Sequence, residues 1–342
     1  MNDLVPLKDF TPADLELWIQ EAGQPAYRAR QLLKWIYAQN VEDFQKMTDV
    51  SKDFRGWLEQ HARIPSVMRE KVLTDKDGTR KLLFRLQDGE RIESVLIDEE
   101  RRLTLCVSSQ VGCALKCRFC LTGEKGYRRN LSAGEIVDQI CAARRELGSE
   151  ERITNLVFMG MGEPLANLQQ VAKALEIITS DYGLNFSTRK VTLSTVGLVP
   201  EMLELSRMFP IKLAVSLHAA DNETRSRLMP INRRYPLEEL LEVCRQLELP
   251  RRQRITFEYL LLAGVNDSPA DARKLAKLLR GLRAKINLIP FNEYPGSPFK
   301  RPSPNRVEDF QKILQEKHYT ATVRQSRGAG IMAACGQLSH RH

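Results

Sequence analysis

Apolar positions along the chain change period twice, and those changes divide it. From about residue 10 to 61 they recur at helical spacing. Thr11-Pro12-Ala13-Asp14 reads as an N-cap with proline at the first helical position, followed by Leu15, Trp18 and Ile19 on one face. A second helix is expected over residues 26–39, with Leu32, Leu33, Trp35 and Ile36 as its stripe. A third begins near Ser51 and carries Phe54, Trp57 and Leu58. All three tryptophans fall in this segment, and the expectation is that they form its core.

Between about residues 66 and 98 the period drops to two. Residues 67–73, 80–86 and 91–97 read as strands, with Asp75-Lys76-Asp77-Gly78 and Gln87-Asp88-Gly89 as the turns between them. This is a small antiparallel meander. Glu93 sits inside its third strand, where a carboxylate is expected to face solvent.

From about residue 101 strands alternate with helices. Strands are expected at 103–108, 153–159, 190–194, 212–216, 255–261 and 285–290, and helices at 132–147, 168–179, 200–208, 237–247, 271–282 and 305–316. Six β–α units with short buried strands place the chain in the α/β class, with a parallel sheet either curved into a partial (β/α)6 barrel or doubly wound. Either arrangement binds ligands at the C-terminal ends of its strands. Those ends carry the unusual residues here: Met159-Gly160-Met161-Gly162-Glu163-Pro164, Ser194-Thr195-Val196-Gly197, Ser216-Leu217-His218 and Pro290-Phe291-Asn292. One more short strand is expected at 320–324. A glycine-rich tail around Cys335 follows and reads as a mobile segment. The organisation expected is a helical accessory module at 1–65, a β linker at 66–98, a core at 99–330 and a C-terminal segment at 331–342 carrying Cys335.

Composition narrows the class. The hydrophobic fraction is 42% and the charged fraction 28%, as in soluble globular chains. Apolar runs such as residues 259–263 are too short to span a bilayer, and the first residues lack the features of a signal peptide. A cytoplasmic protein is expected, in which seven cysteines serve metal binding or catalysis more readily than structural disulfides. A net charge of +9 is a weak pointer to a polyanionic partner. Basic residues gather as Arg225, Arg227, Arg233 and Arg234; as Arg251, Arg252 and Arg254; and as Lys300, Arg301 and Arg306, with Arg28, Arg30 and Lys34 in the helical module. They are the candidate RNA contacts.

The densest chemistry is Cys113-Ala-Leu-Lys-Cys117-Arg-Phe-Cys120, on the rim after the first core strand. Structural zinc takes four ligands, and no local fourth is present, although His218 or a remote cysteine could supply one. A [4Fe–4S] cluster held by three cysteines keeps one iron open for a ligand. Cys141 and Cys244 lie on apolar helix faces and are expected in the core.

This Cys-x3-Cys-x2-Cys loop resembles the radical S-adenosylmethionine (SAM) superfamily, and residues 159–164 resemble its glycine-rich element. Across nearly the whole chain, Ser108-Ser109-Gln110-Val111-Gly112-Cys113, Ser194-Thr195-Val196-Gly197-Leu198, Ser216-Leu217-His218-Ala219, Asn287-Leu288-Ile289-Pro290 and Ala334-Cys335-Gly336 resemble the RlmN/Cfr family of RNA methyltransferases. The resemblance implies a [4Fe–4S] cluster on Cys113, Cys117 and Cys120, and two SAM molecules per turnover. It implies that Cys335 takes a methyl group from one SAM. A 5′-deoxyadenosyl radical from the other removes hydrogen from that methyl, and the carbon radical adds to adenine. Cys106 then attacks the Cys335 sulfur through a transient disulfide, with Glu93 as proton acceptor. Gly162, Glu163, Ser194, Ser216, Leu217, His218 and Asn292 would contact SAM. The implied substrate is C2 of an adenosine in 23S ribosomal RNA and, in some members, in tRNA. A flavodoxin-type electron donor and a monomer go with this reading. Its rivals are methylation at C8, as in Cfr, and a non-catalytic, zinc-stabilised RNA-binding protein.

Overall fold

A computed structural model describes residues 4–250 and 253–339. Ten strands form one mixed sheet whose spatial order follows the chain. Strands β1 (Met68–Thr74), β2 (Arg80–Arg85) and β3 (Arg91–Glu99) pair antiparallel, and β3 pairs antiparallel with β4 (Arg102–Cys106). From β4 onward every pairing is parallel: β5 (Asn155–Phe158), β6 (Val191–Thr195), β7 (Lys212–Ser216), β8 (Ile255–Leu261), β9 (Ala284–Pro290) and β10 (Ala321–Val323). The meander is thus continuous with the core sheet, and Val95 of β3 lies opposite Cys106 of β4.

Strand order decides between the two architectures left open above. A doubly wound sheet reverses order at a switch point. Here each strand lies beside its predecessor, so right-handed crossovers put the helices on one face and curl the sheet around the other. The result is a partial barrel. Its strand ends converge on one rim.

The helical module holds α1 (Pro12–Glu21), α2 (Tyr27–Leu33) and α3 (Lys52–His61). Thr11 and Asp14 close a capping box on α1. The expected 26–39 helix widens into a π-type turn over Lys34–Ala38. Leu15, Ile19, Leu32, Leu33, Ile36, Phe54 and Leu58 form the module's core. The tryptophans do not: they are half-buried at its edge. Trp18 and Trp57 lie 5.2 Å apart by ring centroid, and Trp57 stacks on His61 at 4.4 Å. Large rings with a polar N–H sit more cheaply at an edge than inside a small module.

One helix joins the module to the sheet. In α4 (Ala133–Arg145) nearly every residue from Ala133 to Ala143 is buried, including Cys141. Asp138 pairs with the buried Lys8 of the module and accepts from the Val67 N–H. On the sheet side, Gln139 accepts from Ser94 Oγ and the Ser108 N–H, both at 2.8 Å, and donates to the Ser108 carbonyl at 2.9 Å. A helix covered all round needs its polar groups paired in this way.

The later helices match their expected places: α5 (Leu168–Thr179), α6 (Val199–Met208), α8 (Leu237–Gln246), α9 (Pro269–Leu278) and α10 (Pro304–Glu316). The additional α7 (Asn222–Leu228) is capped by Asp221 and too polar to show an apolar stripe. Cys244 is buried on α8, as expected. Among the described residues no helix is long and apolar enough to cross a membrane.

Candidate active site

Cys113, Cys117 and Cys120 line one cavity at the rim, with Gly162, Glu163, Ser194, Ser216, His218 and Cys335 on its other walls. The loop that carries the trio follows the short strand Gln110–Gly112. Burial pushes the Cys113 thiol up to about 12 and Cys117 and Cys120 upward. Thiols held so strongly against ionisation suit a ligand that supplies positive charge. Backbone N–H groups of Leu115, and of Thr122 and Gly123, support the sulfurs of Cys113 and Cys120. Among the described residues no three His, Cys, Asp or Glu side chains are gathered tightly enough to hold a single ion. The trio lines a cavity rather than closing on a point.

The glycine-rich turn is laid across the end of β4. Gly160 N–H donates to the Val107 carbonyl at 3.1 Å, and the Met161 carbonyl accepts from Ser109 N–H at 2.9 Å. Gly162 has φ +97, and a Cβ there would lie 2.5 Å from Gln110 Cβ. Only glycine fits. Glu163 follows, buried, its carboxylate accepting from Leu165 N–H at 3.1 Å and Val196 N–H at 3.0 Å. Burial pushes its carboxyl up to about 7, against those hydrogen bonds and one from Thr195.

His218 is locked by its neighbours. Its Nδ1 accepts from Leu260 N–H at 3.0 Å, so the proton sits on Nε2, and Phe119 packs edge-on at 4.8 Å. Burial, with the nearby Arg225, holds its pKa down to about 3, so the ring is neutral. Leu217 departs from expectation. Its side chain is fully buried in the core and its N–H bonds the Glu258 carbonyl at 3.0 Å, so it does not line the cavity. Leu217 follows the last residue of β7, and the bond to Glu258 keeps the chain extended there, so it turns inward while Ser216 faces the site.

A second cavity adjoins the first. Cys106, Val95, Ile97, Asn292, Arg324 and Leu338 line it, and Cys335, Met159, Ile289 and Arg324 border both. Cys106 and Cys335 are free thiols. Burial, and then Cys335, push the Cys106 thiol up to about 12, with Arg324 opposing. Asn292 lines this second cavity and not the first: its Nδ2 faces the Cys335 carbonyl at 3.5 Å, and its Oδ1 accepts from Ser326 Oγ at 2.5 Å.

The tail is held, contrary to the mobile segment expected. Gly328 N–H donates to Asp77 at 2.9 Å, Gly330 N–H to Asp75 at 3.0 Å, and Leu121 N–H donates to the Gly336 carbonyl at 2.8 Å. Its glycines serve close packing: a Cβ on Gly328, at φ +67, would lie 2.8 Å from Thr79 and Ala333. Glu93, expected at the surface, is fully buried. Its carboxylate pairs with Lys81 Nζ at 2.8 Å and accepts from Ser339 N–H at 2.8 Å.

A single thiol, Cys335, therefore stands between a three-cysteine cavity and a second thiol. Residues 107–276 match the Radical SAM superfamily and residues 5–64 the Ribosomal RNA large subunit methyltransferase N-terminal domain. The chain is 55% identical to the Dual-specificity RNA methyltransferase RlmN of Syntrophobacter fumaroxidans, covering 98% of each. It is 52% identical to that of Geobacter sulfurreducens, covering 99% of this chain and 93% of the relative. The chain belongs to the RlmN family. The fold is also that of a solved radical SAM methyltransferase from Sphaerobacter thermophilus, with TM-score 0.93, 47% identity, and 98% and 99% of the two chains covered. Radical SAM membership carries a [4Fe–4S] cluster and SAM as cofactors.

Within this RlmN-family site some residues escaped sequence reasoning. Glu258 lines the first cavity from β8 and accepts from Asn287 Nδ2 at 2.7 Å. An acid at an inward position of an apolar strand was the signal for it. Arg324, just after β10, borders both cavities. Arg225 was grouped with the RNA contacts but is 1% exposed. It donates to the carbonyls of Val196 at 2.7 Å and Leu217 and Ser216 at 3.2 Å, and to Asn232 Oδ1 at 2.9 Å. It ties the ends of β6 and β7 together. Arg227, Arg233, Arg234, Lys300, Arg301 and Arg306 are exposed. Arg254 is exposed at the start of β8, away from the rim, and Arg251 and Arg252 lie outside the described residues. In the module, Arg30 and Lys34 are exposed, while Arg28 packs over Phe54 at 4.4 Å.

Proposed function

We propose that this chain methylates C2 of an adenosine in 23S ribosomal RNA and C2 of an adenosine in tRNA. The single observation behind the proposal is the position of Cys335, which borders both the cavity of Cys113, Cys117 and Cys120 and the cavity of Cys106. Cys113, Cys117 and Cys120 would hold the cluster, and Gly162, Glu163, Ser194, Ser216 and His218 would surround SAM. When bound, this pair supplies a one-electron cleavage of SAM that yields a 5′-deoxyadenosyl radical.

Cys335 has two tasks. Its thiolate first displaces the methyl from one SAM, since C2 of adenine is too electron-poor to take it directly. The S-methyl group then loses hydrogen to the radical from a second SAM, and its carbon joins the base. Once the adduct has given up its C2 proton and returned one electron, the Cys106 thiolate attacks the Cys335 sulfur: an S–S bond forms, the S–C bond breaks, and the freed carbon takes the bonding pair and a proton to become the methyl group. Burial keeps Cys106 protonated at neutral pH, and the charge of Arg324 lowers the cost of its thiolate. Asn292 bonds the Cys335 backbone and steadies the carrier. The exposed Arg227, Arg233, Arg234, Lys300 and Arg301 follow rim strands and offer phosphate contacts, and the target base must leave its stack to enter. A flavodoxin-type donor and a monomeric enzyme complete the proposal.

The test is anaerobic turnover on RNA, then nuclease digestion and mass spectrometry with the methyl position assigned. Wild-type protein should yield 2-methyladenosine from ribosomal RNA and tRNA, and Cys335→Ala none. Product from Cys335→Ala would overturn the carrier role. A methyl on C8 would transfer the chain to Cfr-type chemistry, which the RlmN relatives do not favour.

A further inference from the structure

The meander does more than extend the sheet. Cross-strand register places Lys81 opposite Val95, and Val95 opposite Cys106. Glu93 is two residues from Val95 and shares its face. One sheet face therefore carries Lys81, Glu93, Val95 and Cys106 in a band across β2, β3 and β4. The tail lies on that band.

Two contacts bracket the reactive thiol. Lys81 Nζ donates to the Met332 carbonyl at 3.3 Å, three residues before Cys335. Glu93 accepts from Ser339 N–H at 2.8 Å, four residues after it. The two side chains are 6% and 0% exposed and pair with each other at 2.8 Å. On the opposite side the tail rests on the rim. Thr122 Oγ1 donates to the Leu338 carbonyl at 2.7 Å, and Gln337 Nε2 donates to the Glu293 carbonyl at 2.8 Å.

A buried ion pair is an expensive way to gain stability, because an apolar pair of similar volume serves as well or better. What it adds here is direction. Each charge spends one hydrogen bond on its partner and another on a fixed point of the tail backbone. We propose that Lys81 and Glu93 form a positioning latch that holds the tail at Met332 and Ser339 and so sets Cys335 at the boundary of the two cavities. This rests on the reading of Cys335 as the methyl carrier. The resemblance assigns Glu93 to proton removal; the contacts give it a mechanical task as well.

The test reads the tail without turnover. Metal-free, reduced full-length protein is treated with iodoacetamide, and alkylation of each cysteine is followed by mass spectrometry. Cys141 and Cys244, buried on helices and lining neither cavity, serve as internal references, and thermal unfolding monitors the fold. Ser339→Pro deletes the N–H that Glu93 holds and leaves the buried pair intact. It should raise Cys335 labelling about tenfold, as loss of a charge-assisted hydrogen bond implies, with the references unchanged. Lys81→Met should do the same, and Lys81→Arg should restore the wild-type rate. Lys81→Met strands a buried carboxylate; where that variant does not fold, Lys81→Met with Glu93→Gln, which removes both charges, replaces it. If Ser339→Pro labels Cys335 at the wild-type rate, the latch is overturned, whatever the reaction proves to be. If instead Cys335→Ala makes product, the carrier reading is lost while the labelling result stands.

Discussion

The two halves of the sheet do opposite kinds of work. The parallel half, β4 to β10, exposes strand ends, and its loops build a cavity from cysteines, glycine backbone and short polar side chains. The antiparallel half, β1 to β3, offers a face, and what that face holds is part of the protein itself. Ends suit a small ligand because adjacent loops can surround it. A face suits a chain segment because its side chains repeat at strand spacing. The reactive thiol sits where the two meet.

Breaking the parallel half should have the largest effect. Cys117→Ala should remove the absorbance near 400 nm expected of a reconstituted cluster, as iron–sulfur character implies, and abolish SAM cleavage. A variant that keeps both would detach the trio from the cluster. Arg225→Met should come next. It strips a donor from three carbonyls and Asn232, at a cost of roughly 3 kcal/mol by the penalty for buried unpaired groups, read as a lowered midpoint of thermal unfolding. An unchanged midpoint would make Arg225 a surface cation after all. Gly162→Ala should cost about 2 kcal/mol through its positive φ and the clash with Gln110, and weaken SAM binding measured by calorimetry.

Where the two halves meet, and on the antiparallel side, the effects are smaller. Cys106 has its thiol raised to about 12, mainly by burial. A raised thiol pKa favours the protonated form, so the thiolate fraction rises with pH throughout the range below 12. Labelling of Cys106 in the metal-free protein should climb about tenfold per unit from pH 7 to 9, and Arg324→Met should slow it at every pH by removing the opposing charge. A plateau below pH 9 would show a thiol less buried than its contacts indicate. Smallest of all, Asp77→Ala removes the acceptor of the Gly328 and Thr79 N–H groups, each at 2.9 Å. It should cost about 1 kcal/mol and speed amide exchange at Gly328, with little change at the cluster.

Much of this was legible in the chain. Strands and helices of the core announced themselves by period, and the rim placement of Cys113, Glu163 and Ser194 followed from the β–α alternation alone. What sequence could not supply was which way a polar residue faces once two distant segments meet. Glu93 reads as a surface acid because the tail that covers it, with its contact Ser339, is remote from it in sequence. Arg225 reads as one of several cations because the four acceptors around it come from three separate segments. Leu217 and Asn292 sit in motifs that lie on the rim, yet one turns into the core and the other toward the tail. Glycine in the tail suggested looseness, but Gly328 packs where a methyl group would collide.

Strand order along the sheet also sets a schedule. A chain made from its N-terminus completes the cysteine loop at residue 120 and reaches Cys335 more than two hundred residues later. Cys335 and Gly336 form a wall of the first cavity, so until they arrive that wall is missing. The cavity is whole only once segments more than two hundred residues apart in the chain have met.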